Sequence, residues 1–250
     1  MGTPFNDQKI DDMMINRLKS RIDLKELYDI IGHRYTIAGG ALLVNDPHDY
    51  DVYATCKIEP LDLCTIQTRA EERSWTKISI TRNALTMRTK NGTIIQFCEY
   101  AKYDAPSLIE SFDFAHCQAG IDVTLRADKT FCMFHCTSEF MQAMMMQKTF
   151  FVGSEYPISS LIRLVKYAKR GLYPARRDYM ADMLRILTAI IERGYSDYDD
   201  FKDQLDAVDL NYDGEEVSDL WLAVRDHMLY RSKKDTGESP TSDEKDDFPF

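Results

Sequence analysis

The chain has 250 residues, 44% hydrophobic and 29% charged, an ordinary balance for a globular protein with a core sufficient for one large domain or two small ones. A net charge of −10 argues against a protein that coats nucleic acid indiscriminately, since phosphate neutralisation supplies most such affinity. No apolar run approaches the roughly 18 residues that span a bilayer, and the first five residues lack the basic and apolar regions of a signal peptide. The expected location is cytoplasmic, with no membrane partner. Between Ile10 and Ile31, apolar residues recur at near-helical spacing and predict one or two amphipathic helices. Tyr35 to Ala38 reads as a short strand ending at Gly39-Gly40, followed by a brief helix over Ala41 to Val44. Tyr50 to Cys56 is rich in β formers. Leu61 to Glu72 reads as helical, and the runs Ala84 to Lys90 and Thr93 to Tyr100 flank Asn91-Gly92, a two-residue hairpin signal.

Pro106 sits just inside a short predicted helix over Ser107 to Ser111, and Phe112 to Leu125 reads as one long strand. Beyond about residue 137 the pattern turns helical. Phe140 to Met146 is Met-rich, Ile158 to Arg170 is basic and amphipathic, and Tyr179 to Arg193 and Glu215 to Leu229 follow, with an acidic loop over Tyr195 to Asp200. The last stretch, Arg231 to Phe250, is polar and predicted to be disordered. Of the six cysteines, Cys132 and Cys136 flank His135, with His116 upstream. No second pair at metal-ligand spacing accompanies them, so reduced thiols are the better expectation than zinc. Asp209-x-Asn211-x-Asp213-Gly214 imitates the start of a calcium loop, but Leu220 stands where its bidentate acid belongs.

The chemistry concentrates in Ile37-Ala38-Gly39-Gly40-Ala41-Leu42-Leu43-Val44 and, shortly after, Asp49-Tyr50-Asp51-Val52-Tyr53. Glycines without Cβ atoms let backbone N–H groups approach phosphate oxygens, and a following helix N-terminus adds a favourable dipole. Asp49 and Asp51, two apart on a strand, face the same side. Two such carboxylates beside an anion cradle can hold divalent ions that bridge a triphosphate.

These residues resemble the nucleotidyltransferase superfamily, in particular the head and neck of poly(A) polymerases and tRNA nucleotidyltransferases, where G-G precedes D-h-D with h hydrophobic. Phe112-Asp113-Phe114-Ala115-His116-Cys117-Gln118-Ala119 looks like the family's R-D-F-T-I-N-A-L strand, and Leu161-Ile162-Arg163-Leu164-Val165-Lys166-Tyr167-Ala168-Lys169-Arg170 looks like its neck helix. The resemblance runs from about residue 35 to 173. It implies an α+β fold in which a mixed sheet with flanking helices (residues 1–137) precedes an all-helical neck domain (138–230), and composition adds a disordered acidic tail (231–250). It implies transfer of a nucleoside monophosphate from a nucleoside triphosphate to an acceptor hydroxyl on RNA, a protein or a small molecule, with Mg2+ or Mn2+ as cofactor. Gly39 and Gly40 would cradle phosphates, Asp49 and Asp51 would hold metal, Asp113 would serve sugar or metal, and Arg163 and Lys166 would point at the nucleotide.

Two departures bear on activity. Gln96 stands where the family's third acid is expected, leaving Asp113 or Glu99 as substitutes, and Tyr156-Pro157-Ile158-Ser159-Ser160 occupies the place of the E-D-x-x-R base-reading motif. At the other end, Asp246-Asp247-Phe248-Pro249-Phe250 is similar to the acidic tip of bacterial single-stranded-DNA-binding proteins. That similarity implies a host partner with an apolar pocket ringed by basic residues, as a bacteriophage protein would exploit. The alternative expectation is therefore a non-catalytic interaction protein on a nucleotidyltransferase scaffold.

Overall fold

The computed structural model describes residues 7–43, 47–55, 61–81, 83–102, 104–127, 129–195 and 197–206. The expected Glu215–Leu229 helix, the Asp209–Gly214 loop and the tip Asp246, Asp247, Phe248, Pro249 and Phe250 lie outside the described residues. The elements are, in order, α1 (Asp7–Lys19), α2 (Leu24–Ile31), β1 (Tyr35–Ala38), a 3-10 turn (Gly40–Leu42), β2 (Tyr50–Ala54), α3 (Leu63–Glu71), β3 (Thr76–Ile80), β4 (Ala84–Arg88) and β5 (Ile94–Ala101). There follow α4 (Ala105–Glu110), a second 3-10 turn (Ala115–Cys117), β6 (Ala119–Arg126), β7 (Lys129–Cys136), α5 (Ser138–Met146), α6 (Pro157–Lys169), α7 (Arg176–Arg193) and α8 (Tyr198–Asp206).

Seven strands form one mixed sheet in the order β3-β4-β5-β2-β1-β6-β7. Only β2 and β5 run parallel; every other neighbouring pair is antiparallel. One face packs against α1, α2 and α3 through Leu27, Ile30, Ile37, Val52, Phe97 and Ile121, all fully buried. The other face carries Ala38, Asp51 and Gln96, and α4 covers its β6 side. Gly120 permits that approach, because a methyl there would lie 2.9 Å from Thr36 Cγ2 and 3.1 Å from Ile109 Cγ2. Local chemistry sets the ends of the elements. Asp23 caps α2 by accepting from the Lys25 and Glu26 N–H groups, and Gly32 closes that helix in the left-handed region.

Several expectations change in detail. The Asn91-Gly92 hairpin forms between β4 and β5, but the Thr89 N–H donates to the Thr93 carbonyl, so three residues make the loop and Gly92 takes its left-handed position. The long strand expected over Phe112–Leu125 is broken: the 3-10 turn at Ala115–Cys117 interrupts it, and only Ala119 onward joins the sheet. The acidic loop at Tyr195–Asp200 instead begins α8, with Asp197 accepting from the Asp200 N–H. The helices after residue 137 share a core with earlier residues. Phe114 and Cys117 pack with Phe151, Leu164, Tyr167 and Ile186.

Among the described residues no helix is long and apolar enough to cross a membrane. No group of three or more potential metal-binding His, Cys, Asp or Glu residues occurs among them. Alternation along β7 separates His135 from Cys132 and Cys136, and His116 is buried against Thr149.

Candidate active site

β1 ends where Gly39 turns out of the sheet. Its φ of 97° and ψ of −169° belong to a region that side chains with a Cβ essentially never occupy. The Gly39 N–H still donates to the Ala119 carbonyl at 3.1 Å, so the chain leaves β1 only after its last sheet bond. The turn that follows is three residues of 3-10 helix, not the helix expected over Ala41–Val44, and so short a turn lends little macrodipole. What it offers an anion is backbone N–H groups, since the first N–H groups of any helix lack partners within it.

Asp51 lies in register with Ala38 on one side and with Gln96 on the other. Buried Tyr50, Val52 and Ala54 alternate with half-buried Asp51 and Tyr53, so strand pleating sends Asp51 to the face that carries the Gly39 turn. A methyl placed on Gly39 would sit 3.3 Å from Asp51 Oδ2. The structure thus brings the glycine turn and this carboxylate together. Asp49, just before β2, is 35% exposed, with His48 Nδ1 3.9 Å from its Oδ2. Burial, and next the Asp49 charge, push the Asp51 carboxyl up to about 7, while Lys166 and Arg170 pull it down. Among the described residues no lysine or arginine forms an ion pair with either carboxylate. Two oxygen donors that repel each other in a half-buried place suit a hard divalent cation, so these residues fit the metal that the resemblance implies.

Gln96, paired with Asp51 across the parallel register, shares its face, and its amide nitrogen donates to Thr86 Oγ1 at 3.3 Å. Neither suggested substitute joins the two acids. Glu99 is exposed and, three residues beyond Gln96, falls on the opposite side of the pleat. Asp113 is buried and occupied elsewhere: its Oδ2 accepts from Ser160 Oγ at 2.6 Å and pairs with the Arg163 guanidinium at 3.0 Å. The expected nucleotide ligand Arg163 is therefore bound to the expected sugar ligand Asp113. A helix face cannot reveal this, because the partner is remote in sequence.

Lys166 in the last turn of α6 and Arg170 just past its end are the exposed cations whose fields reach Asp51. The same two charges, after burial, push the His116 imidazole down to about 3, which keeps it neutral. His116 Nδ1 lies 2.6 Å from Thr149 Oγ1, and its ring meets Tyr167 edge-on at 4.3 Å between centroids. A methyl on Gly40 would come within 3.3 Å of that ring, so the second glycine makes room for a histidine that the sequence offered only as a remote metal ligand. Position alone could have hinted at its burial, since Phe114, Ala115 and Cys117 adjoin it.

Gly39→Ala is expected to cost about 1–3 kcal/mol of stability, because the backbone must leave its observed conformation, and to displace Asp51 as well. Urea unfolding followed by circular dichroism measures the first effect.

No protein-family model and no curated protein sequence matches the chain. Among solved structures, it is similar to a CCA-adding enzyme in complex with CTP, at 10% identity and a TM-score of 0.48, over 86% of this chain and 53% of that one. The chain thus spans about half the length of the solved enzyme to which its backbone is similar.

Proposed function

We propose that the protein is a metal-dependent nucleotidyltransferase, moving a nucleoside monophosphate from a nucleoside triphosphate to an acceptor hydroxyl. The observation that carries this reading is the approach of the Asp51 carboxylate to the Gly39 turn, with the Asp49 charge and the Lys166 and Arg170 charges at the end of α6 acting on it. In the reaction the acceptor oxygen bonds to the α-phosphorus, the α–β bridging bond breaks, pyrophosphate leaves, and the hydroxyl proton passes to solvent. Gly39 turns the chain so that the Gly40 and Ala41 N–H groups hold phosphate oxygens, and Lys166 and Arg170 offset phosphate charge as it collects. Asp49 and Asp51 would hold Mg2+ or Mn2+. A bound divalent ion would neutralise the polyphosphate and ease ionisation of the attacking hydroxyl. Asp113 and Arg163 act one step removed, fixing α6 so that Lys166 and Arg170 face the carboxylates. RNA or a protein can supply the acceptor hydroxyl.

Incubating the protein with each labelled triphosphate, Mg2+ and candidate acceptors tests the proposal. Label transfer that survives unchanged in the Asp49→Ala/Asp51→Ala protein overturns it. The roles of the α6 cations separate by a second pair of variants. Lys166→Ala is expected to raise KM for the triphosphate about tenfold and to change stability by less than about 0.5 kcal/mol, as exposed positions do. Arg163→Ala is expected to cost about 1–3 kcal/mol of stability, because buried Asp113 loses its counter-charge. Steady-state kinetics and thermal melts of both variants decide.

Gln96 beside Asp51, where an acid is expected, favours a second reading: a scaffold without catalysis that binds a host protein through its Asp246–Phe250 tip. Binding that survives deletion of Phe250 removes that reading.

A further inference from the structure

α7 presents a row of large apolar side chains to solvent. Met180, Leu184, Leu187 and Ile191 are 39% to 60% exposed, whereas the opposite side of the helix buries Asp182 and Ile186. The row recurs at steps of four, three and four residues, which keeps it in one narrow stripe. The same steps occur in the later sequence at Val217, Trp221, Val224 and Met228, with Leu220 beside them. Two helical stripes with the same step pattern interdigitate as knobs into holes.

We propose that the α7 stripe is the docking face for the chain's own segment Glu215–Leu229. Lengths agree: fifteen helical residues extend about 22 Å, within the roughly 27 Å of an eighteen-residue helix. Position agrees. The start of α8 is held to the end of α7 by the Arg193 guanidinium, whose Nη1 and Nη2 donate to the Asp200 carboxylate at 3.2 and 2.8 Å, and the chain continues from the other end of that nine-residue helix. Charge agrees too. Exposed Arg176 and Arg177, four and three residues before Met180, extend the α7 stripe, and the segment carries Glu215, Glu216, Asp219 and Asp226 against Arg225. Burying the two rows against each other removes exposed apolar surface from both, the main driving force for such pairing.

The chain has two tryptophans, Trp75 and Trp221, and Trp75 lies in the core. Comparing the full chain with its Trp221→Phe variant isolates the Trp221 signal. In the docked arrangement Trp221 emits to the blue and resists acrylamide. Leu184→Asp, at the most exposed position of the stripe, should shift that emission to the red and raise quenching several-fold without altering the far-ultraviolet dichroism. Trp221 equally quenched in the parent and in Leu184→Asp overturns the proposal, whether it is accessible in both or protected in both. So does a mass that doubles with concentration and returns to monomer in Leu184→Asp, since a second copy would then be the occupant.

Discussion

Replacing Asp51 with Asn is expected to reduce nucleotidyl transfer on the order of 10³-fold, about 4 kcal/mol of transition-state stabilisation, because the polyphosphate loses an anchoring carboxylate for its metal. The same substitution should stabilise the metal-free protein at pH 8. The Asp51 carboxyl is raised from 3.8 to about 7 by burial and by Asp49, so the fold binds its proton more tightly than the unfolded chain does. That contribution to stability is fully present below about pH 3.8 and is lost as pH rises through about 7. The Asp51→Asn variant would escape the loss, and the melting temperatures of the two proteins in chelator should diverge across that window. Adding Mg2+ should raise the melting temperature of the parent and leave that of the variant unchanged. Opposite signs for activity and stability are the signature of a functional site. A carboxylate with a structural role would lower both when removed, and calorimetry with chelator and with Mg2+ distinguishes the cases.

The second large effect falls away from the glycine turn. Asp182 on α7 is buried, and three donors converge on it: the Phe151 N–H at 2.8 Å, the Tyr173 hydroxyl at 2.8 Å and the Arg185 guanidinium at 3.0 Å. Asp182→Ala leaves a buried N–H and a buried hydroxyl without their acceptor, and is expected to cost about 3–5 kcal/mol. In a chain of this size that lowers the melting temperature on the order of 10 °C. Asp182→Asn keeps an acceptor oxygen and should lose less, and melts of the two variants give the ranking. The damage should also reach the candidate site. The segment that Asp182 anchors includes Thr149, which holds His116 against Gly40, so the surviving folded fraction of Asp182→Ala should show a raised KM for triphosphate.

Short-range chemistry made part of this legible before any coordinates. Gly39-Gly40 ends a strand where a strand was expected, and two-residue alternation alone puts Asp51 on the face opposite Tyr50 and Val52. Helical periodicity found α6 and α7 to within a few residues at their ends. Pairings between residues remote in sequence were not legible. Arg163 on a basic helix face looks free until Asp113, fifty residues earlier, closes on it. β3 alternates Ile78 and Ile80 with Lys77 and Ser79, but the run is only five residues long and every residue of it is exposed, so no buried face reinforces that pattern. Phe112 to Leu125 reads as continuous strand because its apolar residues serve two interiors in turn, first the one under α6 and then the sheet.

Phe114 links those interiors. Its ring meets Tyr167 at 4.9 Å and Phe151 at 5.8 Å, while a few residues on the same chain becomes a central neighbour of β1. Loosening the C-terminal helices therefore uncovers an aromatic wedge rooted beside the sheet, and fraying of the sheet withdraws that wedge from the helices. The helical interior takes Phe114 and Cys117 of its lining from the chain that enters the sheet, so heat should dissolve the described residues in a single cooperative step, with one calorimetric peak and coincident loss of strand and helix signals.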